Sequence, residues 1–362
     1  MAKPRARGLG IRVGRGAPGD LNAITDVPGV RVGHRTVMRG EDGAREAVRT
    51  GVTALFPHEG DPWEEPVYAA THILNGYGEL IGINTIREFG TLDSPIVLTS
   101  SMLIGKAYDA TVHWIAERDS AAGESVMPCV TECDDSWLSA VLSDPIDDAD
   151  VRAALEAAAG GPVAEGCVGS GTGMQAFDFK GGIGTSSRVL DHDVGGHTVG
   201  VLVMTNHGDR EDLLIDGVPV GEAIADLMPQ THTEGSCIVV VATDAPLLPH
   251  QLRRVAERVG MGLARGGSHA ANTSGEQFLA FSTANRVPAR GSRFTPAAVP
   301  DGRGGGPVLS ALFRATVEAT EEAVVNAMVA AETTVGRDGH TLHALPVDRA
   351  LAALDRAGRL GW

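Results

Sequence analysis

TEGSCIVVVATDAP, residues 233–246, sets a glycine and a serine directly in front of an almost wholly apolar run. β-Branched residues crowded between turn formers read as a buried central strand over 237–243. On this segment alone, the plainer reading makes Gly235 the turn and Ser236 an ordinary first strand residue. The other reading is chemical. Here the Gly235–Ser236 bond is strained and exposed to its own serine hydroxyl, which attacks the preceding carbonyl and shifts the chain from nitrogen to oxygen. Hydrolysis of that ester leaves two chains. Glycine suits the position because it has no Cβ to hinder attack and tolerates the backbone angles of a distorted peptide. The α-amine freed on Ser236 has an unperturbed pKa of about 7.7–8, so it can take the hydroxyl proton at neutral pH.

Working outward, strands are expected at 51–56, 95–99, 199–205 and 277–283, with a hairpin turn at Asp216-Gly217 in LLIDGVPV. Apolar spacings of three and four predict a helix through Leu103, Ile104, Ala107, Trp114 and Ile115. A second runs through Leu248, Leu252, Val255, Val259 and Leu263 and is stopped by Gly266 and Gly267. A third is expected over 308–335 with Gly336 as its C-cap, and a last one over 346–357. The Gly, Pro and Arg-rich stretch 290–306 reads as a surface loop. Strands and helices interleave without regular βαβ spacing, so the expected architecture is α+β, layered sheets covered by helices. No composition break separates independent domains in the 362 residues.

The bulk properties narrow the partners. There are 30 basic and 46 acidic side chains, and a formal charge of -16 repels nucleic-acid phosphates and anionic lipid heads. Small or cationic ligands fit better. The basic start MAKPRARGLG is followed by no apolar run of signal-peptide or membrane-span length, which points to the cytoplasm. Cys129, Cys133, Cys167 and Cys237 form no CxxC pair and read as free thiols. The twelve histidines, His207 and His269 among them, form no HExxH motif and read as structural groups, so neither metal nor cofactor is expected. GSGTG at 169–173 lacks the spacing of a phosphate cradle, and its glycines read as close-packing residues.

Several long motifs then stand in order: ILNGYGELIG (73–82), GSGTGMQAFDFKGGIGTSSR (169–188), VGVLVMTNHG (199–208), EGSCIVVVATDAPL (234–247) and RGGSHAANTSGE (265–276). Together they resemble the family of L-aminopeptidase D-amidase/esterases (DmpA) and β-peptidyl aminopeptidases, across nearly the whole chain. The resemblance implies a four-layer αββα sandwich of the DmpA/ornithine acetyltransferase type. It also implies self-cleavage into 1–235 and 236–362 and assembly into a homo-oligomer, a tetramer of such paired fragments.

By this resemblance Ser236 is the nucleophile, and Asn206 in TNHG donates to the oxyanion of the tetrahedral intermediate. Ser274 and Glu276 in NTSGE match the family's second serine and acid, which relay or position protons. Read without the resemblance, NTSGE is a polar turn. Glu132 in VTECDDSW matches an acid facing the substrate's free amine, although Asp134 and Asp135 beside it also suit a solvated acidic patch. Trp137 falls at a pocket position where many relatives carry tyrosine. If a tyrosine hydroxyl assists the oxyanion in those relatives, this chain needs another group or none. The expected substrates are peptides, amino-acid amides or esters whose N-terminal residue is L-α, D-α or β. Acyl transfer of the ornithine acetyltransferase type, which uses threonine as nucleophile, and a non-catalytic protein retaining the fold are the alternatives.

Overall fold

The computed structural model describes residues 3–231, 235–288, 294–302 and 306–361. Two sheets dominate it. One runs Arg31–Arg39, Val48–Phe56, Ile96–Ser100, Cys129–Cys133, Leu80–Ile81. The other runs Ile183–Val189, Thr198–Asn206, Ser236–Thr243, Gly275–Arg286, Val67–Gly76, Thr91–Leu92. Neighbours are antiparallel except for one parallel pair in each sheet, Ile96–Ser100 with Cys129–Cys133 and Ser236–Thr243 with Gly275–Arg286.

The period of two in strand side chains sorts the core into three apolar layers. Cys237, Val239 and Val241, with Val201, Val203 and Phe278, pack under the helices Pro249–Arg265 and Gly306–Ala330. Ile238, Val240 and Ala242 turn the other way and meet Leu55, Ile96, Leu98 and Cys129 of the five-stranded sheet. Beyond that sheet, Val52, Ala54, Phe56 and Val97 pack against the helices Ile104–Ala116 and Asp148–Glu156. The order is helix, sheet, sheet, helix, the expected four-layer sandwich. It explains why CIVVVAT has no polar alternation: both faces of that strand are covered. Each Val or Ile so buried contributes roughly 1.5–3 kcal/mol.

The predicted elements recur with shifted ends. The Asp216-Gly217 hairpin forms, with both residues at positive φ. The helix expected over 308–335 ends at Ala330, and Gly336 does not cap it. Thr334 and Val335 instead pair with Thr341–Leu342, as suits β-branched residues that fit a helix poorly. Strands Arg31–Arg39, Val67–Gly76, Cys129–Cys133 and Ile183–Val189 were not legible. The last carries Ser186, Ser187 and Arg188, all buried, and the Arg188 guanidinium sits 2.7 Å from Glu322 on the long helix. Of the loop expected at 290–306, residues 294–302 have no regular structure, and the rest up to 305 lie outside the described residues. Among the described residues no helix is long and apolar enough to cross a membrane.

Candidate active site

The site forms where three strands of the six-stranded sheet end or begin together. Antiparallel pairing of Thr198–Asn206 with Ser236–Thr243 sets Asn206 directly opposite Ser236. Parallel pairing on the other side sets Ser236 beside Gly275. The Gly275 N–H lies 3.2 Å from the Gly235 carbonyl oxygen and 3.3 Å from Ser236 Oγ, so one donor serves the carbonyl and the hydroxyl that would attack it.

Close packing holds this junction. A Cβ on Gly235 would fall 1.4 Å from the Asn206 carbonyl oxygen, and one on Gly275 would fall 2.3 Å from that of Tyr77. Both positions admit only glycine. Cys237 points into the helix-side core, where burial pushes its thiol pKa well up, and it is no rival nucleophile.

Asn206 is held at both ends of its amide. Its Oδ1 accepts from the Gln175 N–H at 3.2 Å, and its Nδ2 donates to the Asp134 carbonyl at 2.9 Å. Nδ2 keeps a second hydrogen for the cavity of about 220 Å³ that Asn206 lines with Trp137, Gly173, Gln175 and His340. The Trp137 ring stacks on His340 at 3.6 Å and 4°, and its buried indole N–H has no hydrogen-bond partner among the described residues. Neither Ser236 nor Glu132 lines this cavity.

Ser274 and Glu276 are brought together, but on the other side of the sheet, because Glu276 shares the side of Phe278 while Ser236 shares that of Ile238. The Ser274 hydroxyl donates to Glu276 Oε1, and burial raises the Glu276 carboxyl. With Gly235 and His207 they line a space of about 10 Å³.

The acidic-patch reading of 132–135 is corrected, since only Asp134 faces solvent. Glu132 is buried, accepts from the Glu79 N–H at 2.8 Å and from the Ser101 hydroxyl, and burial raises its pKa. No basic side chain pairs with it among the described residues. A Cβ on Gly78 would lie 2.9 Å from Glu132 Oε1 and 3.2 Å from Gln277 Nε2, so these side chains flank one bare glycine. Asp135 is fully buried, accepts from Ser100 Oγ at 2.6 Å and is pushed up to about 7 by desolvation.

Sequence reasoning passed over Gly275, Gln175 and Lys180. Lys180 is buried, and its ammonium donates to the carbonyls of Gly171, Met174 and Gly181, folding 169–181 so that Gln175 reaches Asn206. A lysine inside FDFKGG was the available signal. For a cation, Asp209, Asp212 and His269 bring ligand atoms within 4.8 Å, but His269 Nδ1 lies 3.1 Å from Asp212 Oδ2, as in an ordinary surface pair.

The model of peptidase family S58 matches residues 22–342. The chain belongs to that family. It is 43% identical over 368 residues to the β-peptidyl aminopeptidase BapA of Sphingosinicella xenopeptidilytica, covering 96% of this chain and 90% of the relative. A β-aminopeptidase structure from Burkholderia sp. superposes with TM-score 0.89 at 45% identity, covering 99% of each chain. The L-aminopeptidase D-Ala-esterase/amidase of Ochrobactrum anthropi, described as a prototype serine aminopeptidase with a variant Ntn-hydrolase fold, gives 0.92 at 43%, covering 99% of this chain and 100% of that one. Membership makes this chain a serine peptidase by class, and the Ntn relative directs attention to the residue that would head a new chain.

Proposed function

We propose that the chain is a self-processing serine aminopeptidase, cut between Gly235 and Ser236 into fragments 1–235 and 236–362, with Ser236 as nucleophile. The observation that carries this reading is the shared Gly275 N–H, which polarises the Gly235 carbonyl and holds Ser236 Oγ beside it. Oγ attacks that carbon, the Ser236 nitrogen leaves as an amine, and water resolves the ester. The free α-amine then serves as the base for Oγ when a substrate carbonyl arrives. Asn206 Nδ2 donates to the resulting oxyanion, and the unpaired N–H of Trp137, a residue that lines the same cavity, is the second donor where relatives carry a tyrosine.

Glu132 receives the substrate's ammonium group. A buried carboxylate lacking a basic partner gains most from a cation, and a capped amine would leave it unpaired. Ser274 and Glu276 hold protons behind the cleavage point. The substrates are peptides, amides or esters with a free N-terminal amine on an L-α, D-α or β residue. The names borne by the β-peptidyl relatives favour β-amino acids within that set. The processed enzyme assembles as a homo-oligomer, a tetramer of paired fragments, in the cytoplasm.

Intact mass of the purified protein tests the cut: two fragments ending at Gly235 and beginning at Ser236 are expected, with Ser236→Ala leaving one inactive chain. A single full-length species with full activity would overturn the reading. β-Alanyl, L-alanyl and D-alanyl anilides assign the preference, and acetyl transfer to glutamate without anilide hydrolysis would favour the transferase instead.

A further inference from the structure

Two buried polar side chains behind the cleavage point carry atoms without a hydrogen-bond partner among the described residues. Among the described residues neither ring nitrogen of His207 makes a hydrogen bond, and neither does Glu276 Oε2. His207 is 2% exposed and Glu276 is 0% exposed. Leaving three such atoms bare inside a protein would cost about 1–3 kcal/mol each. His207 and Glu276 both line one space of about 10 Å³ with Gly235 and Ser274, and that is about the room a single water needs.

We propose that this space holds the water that hydrolyses the ester formed during self-cleavage, and that His207 is its positioning residue. The inference rests on the self-cleavage proposed above. His207 is fixed by its neighbours: its backbone carbonyl accepts from the Phe177 N–H at 2.8 Å, and its ring meets the Phe177 ring edge-on at 5.3 Å between centroids. Burial lowers its pKa to about 4, so at neutral pH the ring is uncharged and offers one donor and one acceptor to a water. Asp209 and His269 also line the space, with His269 Nδ1 3.1 Å from Asp212 Oδ2.

The step balances without a co-reactant. After the shift, the Gly235 carbonyl carbon is bonded to Ser236 Oγ and the Ser236 nitrogen is an amine. The water oxygen bonds to that carbon while its proton passes to Glu276 Oε2. The carbon–Oγ bond breaks, Oγ takes the proton back, and Gly235 is left as a carboxylic acid. The water reaches the carbon from the helix side of the sheet, away from the Asn206 cavity, so the two reactions of Ser236 use different spaces.

His207→Phe and His207→Gln separate this role from a packing one. Phe fills the volume and removes both nitrogens, whereas Gln restores a donor and an acceptor. In His207→Phe the shift proceeds but hydrolysis slows by about 10- to 100-fold, so a full-length-mass species accumulates that hydroxylamine splits, leaving a hydroxamate on Gly235. His207→Gln resolves within a few-fold of the wild-type rate. Wild-type kinetics in His207→Phe, a chain that hydroxylamine leaves uncut, or equal defects in Phe and Gln would each overturn the inference. Failure of self-cleavage itself is visible separately, as an uncut wild-type chain.

Discussion

Asn206 stands directly across the sheet from Ser236, its amide oxygen tied to the Gln175 N–H and its amide nitrogen to the Asp134 carbonyl. An amide held at both ends is preorganised as a donor and loses little on meeting an oxyanion. Asn206→Leu is therefore expected to lower kcat by roughly 10²–10³ while KM changes little. Steady-state kinetics on an aminoacyl anilide check this, and a change confined to KM would contradict it.

Gly235→Ala tests packing rather than chemistry. Its Cβ would lie 1.4 Å from the Asn206 carbonyl oxygen, a contact no rotamer relieves because both atoms belong to the backbone-proximal frame. The strand start must shift, taking the Gly235 carbonyl away from the Gly275 N–H. The expected outcome by intact mass is an uncut or much more slowly cut chain.

Trp137→Phe keeps an aromatic ring against His340 and removes only the indole N–H. If that N–H is the second oxyanion donor, kcat falls about tenfold or more with unchanged stability. Unaltered kcat alongside an unaltered melting temperature would leave Asn206 as the only side-chain donor.

Glu132→Gln should erase the preference for an unblocked amine. Losing one partner of a buried charge pair costs about 2 kcal/mol or more, so kcat/KM on a free-amine anilide drops roughly thirtyfold. The same substrate with an acylated amine gains or stays level. Equal losses on both substrates would remove Glu132 from amine recognition.

Asp135 gives a pH dependence of stability. Desolvation raises its carboxyl to about 7 in the fold, so the native state holds a proton that the unfolded chain releases near its ordinary 3.8. Its contribution is present in full below about pH 4 and is lost as pH rises to 7, at no more than about 1.4 kcal/mol per pH unit. Asp135→Asn should flatten that part of the denaturation profile relative to the parent. Glu165, also raised to about 7, contributes with the same sign in both proteins and cancels in the comparison.

The layered fold was legible wherever a strand is apolar on both faces, as in CIVVVAT and VGVLVMT, or a helix repeats every three to four residues. It was illegible at Ile183–Val189, whose buried Arg188 is paired by Glu322 from 134 residues away, a compensation no local window contains. The helix stopped short for the same kind of reason. Thr334 and Val335 found strand partners after a turn, and pairing outweighed continuation. At the site, TNHG, NTSGE and the Gly-Ser junction stood out by resemblance, whereas Gly275 and Lys180 did not, since they act through a backbone N–H and through carbonyls.

By itself the sequence determined the chemistry available: a Gly-Ser junction at the head of a buried strand, an amide, a second serine and two acids, in the order of a known peptidase family. Tertiary structure decided how these are divided. Strand register put Asn206 opposite Ser236 and Gly275 beside it, and side-chain alternation sent Ser274 and Glu276 to the opposite side with His207. Even the need for glycine at 235 proved to come from the carbonyl of Asn206 across the sheet. Register and facing depend on contacts between residues tens to hundreds of positions apart, and side chains two apart share a face only once a strand is placed.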